Sequence, residues 1–177
     1  MKIERLFSAA RKHSTGNFRE RASRDMSNRL SAVFIVVPEN DPKTIVGFFT
    51  LSSQQTACDI LPEELRKKTG RYKTVGVTLL GRMAVATEFQ NQKLGRFVIF
   101  AALYEAWKST KHVSSFAVIV DAKTDKAVPF YEKYGFRRLE GSRLTLPMKT
   151  IEDLVGGAET EKTATATTEP APPASPS

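Results

Sequence analysis

One cysteine, Cys58, stands in 177 residues. An internal disulfide is therefore excluded, and no set of thiols occurs at metal-ligand spacing. Cys58 reads as a small packed residue. The two histidines, His13 and His112, are far apart and unsupported by neighbouring ligand residues, so no metal site is expected. No apolar run is long enough to cross a bilayer, and the opening MKIERLFSAARKH is too polar for a signal peptide. A protein of the cytoplasm, with no membrane partner, is the expectation. Acidic residues are scarce: 19 against 27 Lys and Arg, a net charge of +8. From Gly156 onward there are one Lys and three Glu, so the preceding 155 residues hold 26 basic and 16 acidic groups, a net of +10. That surplus suits a polyanionic ligand, either cofactor phosphates or a nucleic-acid backbone, although basic surfaces also serve solubility.

The hydrophobic fraction of 41% supports one core and one domain, residues 1–155. Residues 156–177, built from Gly, Ala, Thr, Pro and Glu without a large apolar side chain, cannot offset their ordering entropy and are expected to be disordered. Residues 17–30 read as a basic helix bearing Arg19, Arg21, Arg24 and Arg29, and such a helix either meets RNA phosphates, helped by Arg71, Lys73 and Arg82, or is solvated surface. Runs at 31–37 and 44–52, rich in Val, Ile, Phe and Thr and separated by PENDPK, predict an antiparallel hairpin. A helix is expected at 61–68, with Pro62 in its first turn. The stretch VGVTLLGRMAVA, 75–86, predicts a central strand buried on both faces. A helix over 93–109 with a broad apolar face follows, then a short apolar strand at 116–120 parallel to the first, through a right-handed crossover. A second helix at 126–134 closes on Gly135, and a last strand spans 143–148.

Between the long strand and its helix lies a polar loop, and backbone N–H groups at such a helix start have no intrahelical partner, so they can hold a pyrophosphate. Gly95 either permits close backbone approach there or simply packs. Further on, Ala127, Phe130, Tyr131, Gly135 and Phe136 stand in AVPFYEKYGF. The order RMAV, QxxxxG, AxxFYxxxGF resembles the GNAT acetyltransferase superfamily over most of the chain. Within it, GFFTLS, LLGRMAV, VDAK and LTLPM are similar to the GNAT toxins of toxin–antitoxin pairs.

The resemblance implies an α/β fold: a mixed, mostly antiparallel sheet with a splayed parallel strand pair, flanked by helices. It implies acetyl-CoA as acetyl donor, bound by Met83, Ala84 and Val85 on the strand, by Gln90, Asn91, Gln92, Lys93, Leu94, Gly95 and Arg96 in the loop, and by Phe130. The implied reaction is acetylation of the α-amine of an aminoacyl-tRNA, which blocks translation, with a small DNA-binding antitoxin as partner; it also admits a homodimer. Where the family pattern QxxGxG has its first glycine, this chain has Lys93. If that site needs a positive φ, Lys93 is strained by on the order of 1 kcal/mol, while its ammonium can reach a phosphate.

The chemistry needs a neutral amine, a polarised carbonyl and a protonated leaving thiolate. Tyr131 is the expected general acid, since a phenol of pKa about 10 is protonated at neutral pH; a packed aromatic is the alternative. A backbone N–H near residues 83–85 is expected to polarise the carbonyl. Arg82, Met83, Ala84 and Val85 offer no carboxylate to deprotonate a lysine ammonium of pKa about 10.4, whereas an α-amine of about 7.7–8.0 needs no strong base. Glu88 could relay a proton through water or be a solvated loop carboxylate. Acetylation of protein or small-molecule amines stays open, as does a degenerate acetyl-CoA-binding module.

Overall fold

The computed structural model describes residues 1–5 and 28–156. The basic helix expected at 17–30 and the tail from residue 157 lie outside these, while residues 28–30 form a turn, with Arg29 at φ 55°, and Gly156 ends a helix. Seven strands make one sheet: β1 (Lys2–Arg5), β2 (Ala32–Val37), β3 (Gly47–Ala57), β4 (Thr74–Val85), β5 (Ala117–Asp121), β6 (Arg137–Arg138) and β7 (Arg143–Pro147). Their order is β1-β2-β3-β4-β5-β7-β6. Every pairing is antiparallel except β4 with β5. Among the described residues the helices are α1 (Glu63–Arg66), α2 (Gly95–Ser109), α3 (Val128–Glu132) and α4, residues 148–156.

The hairpin, the long strand, the parallel crossover and the last strand all form where the sequence pattern places them. β3 extends to Ala57, beyond the expected end, because Thr and Gln continue the alternation and pair with β4 down to Ala57↔Thr74. α1 is shorter than expected and runs on as a 3-10 turn, Lys67–Thr69. β1, β6 and α4 carry no expectation from the sequence.

The main core lies between the sheet and α2. Phe34, Phe49, Leu51, Leu80, Val118, Leu144 and Leu146 from the strands meet Val98, Ile99, Ala102, Leu103 and Ala106 from α2. Each fully buried Leu or Ile there contributes about 1.5–3 kcal/mol. α3 and α4 complete this side through Val128, Tyr131, Met148, Ile151 and Val155. On the opposite face Cys58, Leu61 and Leu65 cover Val75, Phe116 and Leu139. Cys58 is packed there as expected. Among the described residues no helix is long and apolar enough to cross a membrane, and no cluster of His, Cys, Asp and Glu could hold a metal.

Candidate active site

The site begins with a slip of register. Phe49 pairs with Met83 and Leu51 with Leu80, so Thr50 on β3 faces two residues, Gly81 and Arg82, on β4. This is a β-bulge, which bends the strand and increases its twist. Buried Thr50 pins it: its Oγ1 accepts the Arg82 N–H at 2.9 Å. A Cβ at position 81 would lie 3.1 Å from that oxygen, so glycine suits the crowded inner side. β4 and β5 pair only at Thr78↔Val118, Leu79↔Ile119 and Leu80↔Val120, and beyond the bulge they part.

That parting corrects the expectation for β4. Only Val77, Thr78 and Leu80 are buried, while residues 81–85 are exposed or partly so. The apolar composition of Met83, Ala84 and Val85 lines an opening instead of a sealed interior. Ala86 N–H donates to Val46 O at 2.9 Å. Antiparallel strands alternate, so Ala84 faces β3 whereas Met83 and Val85 turn N–H and C=O toward the opening. Val85 O is taken by the Gln90 side-chain amide at 3.2 Å.

A 3-10 turn, Thr87–Phe89, then starts the loop, which Gln92 Nε2 closes by donating to Glu88 O at 3.1 Å. Asn91 and Lys93 have φ of 62° and 57°. Lys93 therefore cannot belong to the helix expected from that position, and α2 begins at Gly95. Among the described residues, the N–H groups of 91 to 95 find no acceptor. Five unpaired donors at the start of a 15-residue helix, where the helix dipole adds positive potential, fit a pyrophosphate. Arg96 lies over the Phe97 ring at 4.7 Å. Gly95 admits a side chain from α3, since a Cβ there would be 3.3 Å from Phe130 Cε2.

Lys93 in the left-handed region costs on the order of 1 kcal/mol. Lys93→Gly relieves it, but glycine loses about 0.5–1 kcal/mol more in chain entropy on folding. The expected result is a thermal midpoint raised by no more than about 3 °C. A clear fall in calorimetry would show that the Lys93 side chain stabilises the loop by contacts that outweigh the strain.

α3 follows β5 through a 3-10 turn, Asp125–Ala127, has Pro129 in its first turn, and ends as Gly135 takes φ 88°. It holds Tyr131 with 9% of its surface exposed, edge-on to Phe130 at 5.3 Å and to Phe136 at 5.6 Å. Burial pushes the phenol above its ordinary pKa. Its hydroxyl has no hydrogen bond among the described residues. Tyr131 and Phe130 share one apolar cluster with Met83 and Val85, so strand and helix residues singled out in the sequence come together, with Gly95 of the loop against Phe130. Glu88 stands exposed in the loop.

Two features went unread in the sequence. Thr50 is one. The other is a fork at the end of β5, where Arg143 Nε and Nη2 donate to the two Asp121 oxygens at 2.6 and 2.8 Å. The guanidinium holds the Asp121 carboxyl below the usual range. The pair ties β5 to β7 beside the opening, and no local pattern signals it because the partners meet only through the sheet register.

Residues 10–145 match the model of the acetyltransferase (GNAT) domain. The chain belongs to this family. It is an acetyl-CoA-dependent N-acetyltransferase, with the mixed sheet and one parallel pair of the GNAT fold. A probable toxin TacT of Sinorhizobium fredii is 22% identical over 149 residues, 79% of this chain and 82% of its own. The structure of AtaT complexed with acetyl-methionyl-tRNAfMet is similar at a TM-score of 0.72 and 24% identity, covering 87% of this chain and 98% of that one. AtaTR bound with AcCoA is similar at 0.69 and 27%, covering 87% and 97%.

Proposed function

We propose that this N-acetyltransferase modifies the α-amine of an aminoacyl-tRNA and so blocks translation, as the toxin partner of a small DNA-binding antitoxin. The observation that carries the substrate is the makeup of β4 at the opening: Arg82, Met83, Ala84 and Val85 bring no carboxylate to the place where the acceptor amine must lie. An amine of pKa about 7.7–8.0 has a substantial neutral fraction near pH 7.5 without a strong base, whereas a lysine of about 10.4 does not. The AtaT complex with acetyl-methionyl-tRNAfMet and the toxin-named relative support this choice.

The N–H groups of Asn91, Gln92, Lys93, Leu94 and Gly95 would hold the pyrophosphate of acetyl-CoA, with Lys93 and Arg96 adding positive charge. Gln90 fixes the loop to the strand through Val85 O. Met83 and Val85 would align the pantetheine arm beside Ala84, against Phe130. When bound, acetyl-CoA supplies an acetyl group activated as a thioester. The Met83 N–H, turned toward the opening, would polarise the thioester carbonyl oxygen. Tyr131 holds a proton on its oxygen well past neutral pH and would give it to the leaving thiolate.

The signs give a pH test. Only the neutral amine attacks, so kcat/KM rises with pH up to the amine pKa; burial, which raises the Tyr131 pKa, keeps the acid protonated while the amine titrates. Initial rates of thiol release with charged tRNA are expected to rise and level off between about pH 7.7 and 9. A rate still climbing tenfold per pH unit at 9 would point to a lysine-type amine and overturn the substrate assignment.

A further inference from the structure

The segment from Arg66 to Lys73 holds five cations, Arg66, Lys67, Lys68, Arg71 and Lys73, and no acidic residue. All are exposed, and so is Tyr72, with 76% of its surface in solvent. Glu63 engages Lys67 at 2.9 Å. Among the described residues Arg66, Lys68, Arg71 and Lys73 form no ion pair, and the Tyr72 ring has no aromatic contact.

The backbone beneath them is fixed. Buried Thr69 donates its hydroxyl to Arg66 O at 2.8 Å, and Gly70 at φ 59° reverses the chain. Tyr72 N–H closes the turn on Thr69 O at 3.2 Å, and Lys73 O accepts Cys58 N–H at 2.9 Å. The fold thus holds an aromatic residue largely in water, with Arg71 and Lys73 as its neighbours in the chain. Stacking platforms for unpaired bases have this form: a ring with cations beside it to meet the phosphates. The turn leads straight into β4, and the seven residue steps from Thr74 to Gly81 span about 23 Å. From Gly76 on, a groove of about 600 Å³ opens, lined by Gln55, Gly76, Thr78, Ser109 and His112 among others, with no carboxylate among the described residues. The Gln54 Oε1 on its wall is buried without a donor.

Resting on the tRNA reading above, we propose that this turn docks the RNA beyond its reacting amine, with Tyr72 stacked on an unpaired base and Arg66, Lys68, Arg71 and Lys73 on phosphates. An acidic protein would use the cations, but it would have no particular need of an exposed ring between them. The ring is therefore the residue to test.

Binding of labelled, uncharged tRNA to the full chain, followed by fluorescence anisotropy between about 50 and 200 mM salt, decides it. Tyr72→Ala is expected to weaken binding about tenfold, while Tyr72→Phe stays within about twofold. Replacing Arg71 and Lys73 together by Ala is expected to flatten the slope of log K against log salt by about 1.4, at about 0.7 per single-strand phosphate contact. In turnover, Tyr72→Ala should raise KM for charged tRNA and leave kcat and KM for acetyl-CoA unchanged. Tyr72→Ala with unaltered affinity and an intact thermal midpoint would overturn the proposal, and loss of a protein partner instead would reassign the turn. Thiol release by the unaltered enzyme with charged tRNA, together with unaltered Tyr72→Ala affinity, removes the turn and keeps the substrate. No thiol release removes the substrate, and the anisotropy comparison still judges the turn.

Discussion

Tyr131→Phe is expected to lower kcat for thiol release about 10²- to 10⁴-fold, the range for loss of a positioned general acid. The substitution removes one oxygen from a ring that is otherwise held by Phe130 and Phe136. That oxygen has no hydrogen bond among the described residues, so no buried partner is orphaned by its loss. Stability should therefore change by less than about 0.5 kcal/mol, and acetyl-CoA affinity, measured by calorimetry, should be kept. A variant that unfolds would mark Tyr131 as structural. One that turns over at the original rate would leave proton delivery to another group.

Gly47→Ala is expected to damage fold and site together. Gly47 starts β3 between the backbone of β4 and the inner side of α2. A Cβ there would stand 2.7 Å from Ala84 O and 2.8 Å from Val98 Cγ2, closer than such atoms approach. Val98 is fully buried, and the Ala84 carbonyl is backbone held in the β3–β4 pairing. The expected destabilisation is about 1–3 kcal/mol, or a thermal midpoint lower by roughly 2–12 °C for a chain of this size. Ala84 sits between Met83 and Val85, so a displaced β4 should also weaken acetyl-CoA binding. Gly76→Ala is the control: its Cβ meets nothing nearer than Ser114 O at 3.8 Å, and no loss beyond about 0.5 kcal/mol is expected. Equal midpoints for the two variants would contradict the packing argument.

Long runs of β-branched and aromatic residues, broken by PENDPK or by the polar loop, made the hairpin, the parallel pair and α2 legible in the sequence. β1 and β6 were not, because four and two residues rich in Lys and Arg are too short for an alternation to emerge. α4 did leave a signal: Met148, Ile151 and Val155 fall on one buried helical face, directly after the last strand. At the site, residue types pointed to the loop and to Tyr131. The bulge could not be read, since it exists only in the pairing of Thr50 with Gly81 and Arg82. For the same reason Met83, Ala84 and Val85 read as core, although the parting of β4 from β5 exposes that end of the strand. The exposure of Tyr72 depends on the turn at Gly70 and is likewise invisible in composition.

The most direct test is thiol release from acetyl-CoA by the purified protein with a pool of aminoacylated tRNA, beside uncharged tRNA and a lysine-rich peptide. Release with charged tRNA alone is the predicted result, since only it presents an amine of low pKa on an RNA. Release with the peptide, or none at all from a protein that binds acetyl-CoA, would contradict the proposed acceptor.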